Sequence, residues 1–135
     1  MEPEKAQEMR EWFQKARNDL RGAEIDLSAS PPLLEDVMFH CQQAAEKAMK
    51  GFLTGHDRPF PKTHDLDELG TAVQAIDASL ASALDRARDL TPFAWRFRYP
   101  GTPSVPAREE AEGALAVARE VYQAILDRLP EEVRP

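Results

Sequence analysis

Apolar residues return at three- and four-residue steps along almost the whole chain, and no stretch alternates with period two. That spacing puts them on one stripe of a helix, whereas a half-buried strand needs strict alternation. A striped helix must bury its apolar side against another helix, so the chain is expected to be all-α. Met9, Trp12, Phe13, Ala16, Leu20, Ala23 and Leu27 form the first stripe and predict a helix from about Glu4 to Ser28, ended by Ser30-Pro31-Pro32. A second helix is predicted from about Leu33 to Thr54. Its stripe is Leu34, Val37, Cys41, Ala44, Ala45, Ala48 and Phe52, with His40, Gln43, Glu46, Lys47 and Lys50 on the opposite side. Its alanines allow a neighbouring helix to approach closely.

Pro59 and Pro61 make Gly55 to Lys62 a loop, and Thr63 or Asp65 can cap the next helix, with Glu68 placed as in a capping box. Leu66, Leu69, Val73 and Ile76 mark a short third helix, followed by a break near Asp77 to Ser79. A fourth carries Leu80, Leu84, Ala87 and Leu90 toward Phe93 and Trp95. Pro100, Gly101 and Pro103 make Tyr99 to Val105 a loop. The last helix is predicted from near Pro106, with Glu109 and Glu110 matching the helix dipole and Ala111, Leu115, Ala118, Tyr122, Ile125 and Leu129 facing inward. The residues after Leu129 are expected to fray. Short connections imply an up-and-down bundle of four to five helices, one domain over residues 1–135 with its core at about 5–129.

With 42% hydrophobic and 30% charged residues, a chain of 135 residues buries enough surface to fold without a metal or disulfide staple. Cys41 is its single cysteine, which fits a reducing compartment, and the polar start from Met1 to Arg10 is unlike a signal peptide, so a cytoplasmic location is expected. No apolar run is long enough for a membrane span. The formal net charge of −7 disfavours broad binding to RNA or DNA, which depends on neutralising phosphates, but it leaves room for one local phosphate site.

The stretch FHCQQAAEKAMKGFLTGHDRPFPKTHDLDEL, Phe39 to Leu69, resembles the HEPN family. There a helix with the pattern of Phe39-His40, Gln42-Gln43-Ala44 and Glu46-Lys47 precedes a helix start like Lys62, His64-Asp65-Leu66. Trp12, Ala16, Asp19, Leu20 and Ala23 fit the family's first helix, and Arg98-Tyr99-Pro100 and Glu109-Glu110-Ala111 fit later positions, so the likeness runs from about Trp12 to Leu129. The resemblance implies a bundle that forms a homodimer through its helices. Many relatives are encoded beside a minimal nucleotidyltransferase, some acting with it as toxin and antitoxin, others are fused to larger enzymes, and a nucleotide-binding role is proposed for the group. Active relatives cleave RNA with an arginine and, a few residues on, a histidine whose near-neutral pKa suits acid–base work. Arg96 and Arg98 stand at the matching place, but Tyr99-Pro100-Gly101-Thr102-Pro103-Ser104 follows, with no histidine there or later. An unperturbed tyrosine is a poor base, so the reading is a non-catalytic protein.

Two arginines beside aromatic rings make Arg96, Arg98 and Tyr99 candidates for holding a phosphate and stacking a base. The alternative is that Trp95, Phe97 and Tyr99 close the bundle while the arginines pair with carboxylates. His40 and Lys47, which share a polar helix face with Gln43, are candidates for a nucleotide phosphate, for a dimer interface, or for a plain solvated face. His64-Asp65 has the look of an acid–base pair, yet capping by Thr63 and Asp65 explains it without chemistry. Adjacent His40 and Cys41 point about 100° apart on a helix, and His56 and His64 have no paired ligand spacing, so no metal is expected and no motif calls for a cofactor. Three functions follow: a homodimeric partner of a nucleotidyltransferase that holds a nucleotide; a ribonuclease in which His40 or His64, from the same or the other subunit, replaces the missing histidine; and a helical interaction module without a ligand.

Overall fold

The computed structural model of the protein describes residues 1–101 and 104–135. Among them are five α-helices, α1 (Pro3–Ser28), α2 (Leu34–Gly55), α3 (Leu66–Ile76), α4 (Ala81–Ala87) and α5 (Arg108–Leu126), and no strand. The bundle is all-α. No helix of the described residues is long and apolar enough to cross a membrane. Residues 102 and 103, in the loop expected after Tyr99, lie outside the described residues.

Helices α1 and α2 form an antiparallel hairpin: Lys5 near the start of α1 pairs with Asp57 just past the end of α2 at 2.7 Å, and the Leu33 amide donates to the Asp26 carbonyl at 2.9 Å. Their axes come close because small residues line the seam, Ala16 and Ala23 on one side and Ala44, Ala48 and Gly51 on the other. Helix α2 runs through the middle of the molecule and touches α1, α3, α5 and the segment after α4. Phe13, Met38, Met49, Phe52, Leu53, Leu66, Leu69 and Ile125 are fully buried around it. Each such side chain stabilises by about 1.5–3 kcal/mol relative to exposure.

Asp65 caps α3, accepting from the amides of Asp67 at 2.9 Å and Glu68 at 3.5 Å. Thr63 rather than Glu68 closes the other half of this cap, its hydroxyl accepting from the Asp65 amide at 3.0 Å. The fourth helix is shorter than its apolar stripe predicts. It gives way at Arg88 to a 3-10 segment, Arg88–Ala94, that contains Pro92. A proline ring clashes with the carbonyl four residues earlier in an α-helix, and four residues before Pro92 is Arg88. Tighter 3-10 winding avoids the clash and carries Leu90 and Phe93 into the core.

The end of the chain does not fray. A 3-10 turn at Glu131–Val133 packs on α1, Val133 is fully buried, and Arg10 donates to the Glu132 carbonyl at 2.9 Å. The last helix begins at Arg108, two residues past the predicted proline, which is buried outside it. Of the three rings expected to close the bundle, Phe97 alone does so, stacked on Phe93 at 5.7 Å. Trp95 is 52% exposed and Tyr99 71% exposed.

Candidate functional site

The polar side of α2 is not a solvated face. Its middle residues meet carboxylates and carbonyls from neighbouring segments in two separate clusters, on different flanks of the helix.

The first is built on Asp19, a nearly buried carboxylate on the inner stripe of α1 between Ala16 and Ala23. Its Oδ1 lies 2.9 Å from His40 Nδ1 and its Oδ2 accepts from Lys47 Nζ at 2.7 Å. The other ring nitrogen, His40 Nε2, faces Asp26 at 3.6 Å. Gly22 makes room for the ring: a Cβ there would lie 3.3 Å from Nε2. The hydrogen bond to Asp19 raises the His40 pKa above its ordinary 6.5 against the pull of burial, and the charges of Asp19, Asp26 and Asp36 add to it. His40 therefore keeps its proton to a higher pH than a free imidazole does, and in the imidazolium form both nitrogens are directed at carboxylates. In that form it can donate to an anion but has no lone pair to accept a proton.

His40 also lines a recess of about 340 Å³ together with Arg98, Glu35 and Asp36. Phe39, Phe93 and Phe97 supply its apolar walls. A neighbouring recess of about 400 Å³ shares Glu35, Phe97 and Arg98 with the first and extends to Tyr99 and Gly101. Arg98 thus stands between the two, its guanidinium 4.2 Å from the centre of the Phe39 ring, and it makes no ion pair among the described residues. The fold brings His40, Arg98 and Tyr99 to one cleft. It does not bring Arg96, whose guanidinium lies 5.6 Å from the Phe97 ring outside the lining, or Lys47, which is spent on Asp19.

The second cluster surrounds Glu46, whose side chain is 5% exposed. It accepts from Lys50 at 3.0 Å and from Gln42 at 3.1 Å, and one oxygen lies 2.7 Å from His64 Nδ1. Gln42 also donates to the His64 carbonyl at 3.0 Å, and Lys50 approaches the rings of Trp12 and Phe60 at 6.0 and 5.8 Å. This network pins the loop before α3 to α2. His64 lines neither recess and its partner is Glu46, not the adjacent Asp65. Cys41 is wholly buried and burial pushes its thiol up to about 12, which keeps it protonated and unreactive. No group of three or more metal-ligating side chains occurs among the described residues.

Asp19, Asp26 and Glu35 are site residues that stripe analysis alone passes over. The signal for Asp19 was present: a carboxylate on an apolar stripe needs a buried partner.

A family model, the HEPN domain, matches residues 9–129. This chain belongs to the HEPN family. The HEPN chain is also similar to a solved structure, TT1696 from Thermus thermophilus, with 28% identity and a TM-score of 0.68 over 90% of this chain and 98% of that one. No protein of curated function matches it. In this HEPN chain the residues after Arg98 carry no histidine, and the imidazole that shares the arginine's cleft comes from α2.

Proposed function

We propose that this HEPN protein holds the phosphate of a nucleotide in the cleft between α2 and the segment from Phe93 to Gly101, without cleaving it, and works as a homodimer beside a nucleotidyltransferase. One observation carries the binding site: the Arg98 guanidinium, free of ion pairs among the described residues, and the His40 imidazolium face the same phenylalanine-walled recess. A planar guanidinium takes two phosphate oxygens at once, and a protonated His40 beside it adds positive charge while its ring nitrogens face Asp19 and Asp26. Aromatic walls give a base something to stack on. What speaks against cleavage is that His40 faces carboxylates through both ring nitrogens, so its imidazole is poorly placed to take a proton from a ribose hydroxyl. The partner and the pairing rest on the likeness to relatives encoded beside nucleotidyltransferases.

Titration calorimetry with nucleoside 5′-monophosphates tests the site. Wild-type protein should bind, and Arg98→Ala should weaken binding at least about tenfold, the loss of one charge-assisted pair. No binding by the wild type would leave a helical interaction module as the better account. Light scattering reports the dimer, and mass spectrometry of co-purifying proteins reports the partner.

A second reading, a ribonuclease with a displaced histidine, is favoured by the fact that His40 and Arg98 share a recess. There the ribose 2′-oxygen would attack phosphorus and give its proton to Asp26, while the P–O5′ bond breaks and the His40 Nε2 proton passes to the leaving 5′-oxygen. Degradation of RNA by purified protein, abolished in both His40→Gln and Arg98→Ala, would establish it over the first.

A further inference from the structure

We infer that the cleft selects guanine, and that Glu35 reads it. This deepens the nucleotide site proposed above and rests on it.

Glu35 belongs to the wall of both recesses, half-buried beside Phe97 and Arg98. It makes no hydrogen bond or ion pair within the structure's described residues. Its place in the first turn of α2 accounts for its charge, since carboxylates there complement the helix dipole, but Asp36 already meets that need. The dipole does not account for an unpaired carboxylate in the wall of a ligand-sized hollow. Phosphate oxygens are acceptors and would be repelled by it. Whatever part of the ligand lies against Glu35 must therefore donate hydrogen bonds, while its anionic part lies against Arg98 and His40.

Carboxylate oxygens are pure acceptors set side by side. Among the four common bases, guanine alone offers two adjacent donors, N1–H and the 2-amino group, on its Watson–Crick edge. Adenine and cytosine set an acceptor next to their amino group, and uracil flanks its one N–H with two carbonyls. A base stacked on Phe97 with that edge toward Glu35 makes two parallel hydrogen bonds, the geometry by which side chains discriminate bases. Ribose hydroxyls can also donate to a carboxylate, but they are common to all four nucleotides and would give no preference.

The test is calorimetry on the full chain with GMP, AMP, CMP, UMP and IMP, the last lacking the 2-amino group. GMP should bind at least about tenfold tighter than the others, the size expected of one bidentate base contact. Glu35→Gln, which keeps the shape but replaces one acceptor with a donor, should bring GMP to within about threefold of AMP while circular dichroism stays unchanged. Glu109→Gln, in the first turn of α5 and outside both recesses, should keep the preference. Equal binding of all five, or a guanine preference that survives Glu35→Gln, would overturn the inference and leave the phosphate site standing. No binding by any of them would overturn both.

Discussion

Asp19 and His40 are bonded across the seam of α1 and α2, Oδ1 to Nδ1 at 2.9 Å, and the same carboxylate holds Lys47. The bond both orients the imidazole toward the cleft and ties the two helices together. A histidine whose pKa is raised on folding contributes stability that is complete below its ordinary 6.5 and is lost as pH rises through the higher folded value. Stability should therefore fall as pH rises above about 6.5 in the wild type, and His40→Gln should flatten that slope. Burial also raises the Asp26 carboxyl above its ordinary value, opposed by the charge of His40. Asp19→Asn should cost about 1–3 kcal/mol in urea unfolding and lower the His40 pKa followed by NMR. A flat profile in the wild type would show that His40 is not held as described.

Glu46 and Lys50 make a stricter pair, because both are nearly out of water. Removing one member of such a pair leaves the other charge buried and uncompensated, at a cost of about 3–5 kcal/mol. Glu46→Gln should approach that loss, tempered by the amide's remaining hydrogen bonds. Glu46→Gln with Lys50→Met should recover most of it, since apolar contact with Trp12 and Phe60 replaces the stranded ammonium. Denaturant midpoints of the two variants decide the matter: a double variant no better than the single one would contradict the buried-pair account.

Gly22 and His40 are coupled. Alanine at an exposed helix glycine ordinarily stabilises by about 1 kcal/mol, but a Cβ at position 22 meets the imidazole at 3.3–3.4 Å. Gly22→Ala should therefore gain less than that in the wild type and the full amount in a His40→Ala background. The double-mutant cycle should close with a coupling of at least about 0.5 kcal/mol. Strict additivity would mean that the ring does not rest on this glycine.

Helix period made α1, α2, α3 and α5 legible to within two or three residues, because each stripe is long and bounded by proline, glycine or a cap. It also placed His40 and Lys47 on one face. What it could not supply is the neighbour across that face: Asp19 is twenty-one residues from His40 in the chain, and period says which residues share a side, not what that side meets. Period likewise set Glu46 and Lys50 opposite the apolar stripe without showing that both are buried. The 3-10 winding before Pro92 and the docking of Val133 were illegible for a related reason. A proline announces a break without its form, and one apolar residue in a polar tail shows its worth only beside the slot that receives it.

The closeness of α1 and α2 can be tested at Gly51, with Gly113 as its contrast. Both glycines lie within helices, and on propensity alone alanine at either should raise stability by about 1 kcal/mol. At position 113 a Cβ meets nothing within 4 Å, so the gain should appear in full, as a rise in melting temperature of about 3–5 °C. At position 51 the added atom would lie 2.8 Å from Cζ of Phe13 and 3.0 Å from Cβ of Trp12. Phe13 is fully buried and the Trp12 Cβ is fixed to the backbone, so neither can retreat without moving α1. Overpacking of that kind costs about 1–3 kcal/mol, which outweighs the propensity gain. Gly51→Ala should therefore melt below the wild type while Gly113→Ala melts above it. Equal shifts in the two would mean that the helices stand farther apart than the structure has them, and the Asp19–His40 bond across the same seam would fall with that spacing.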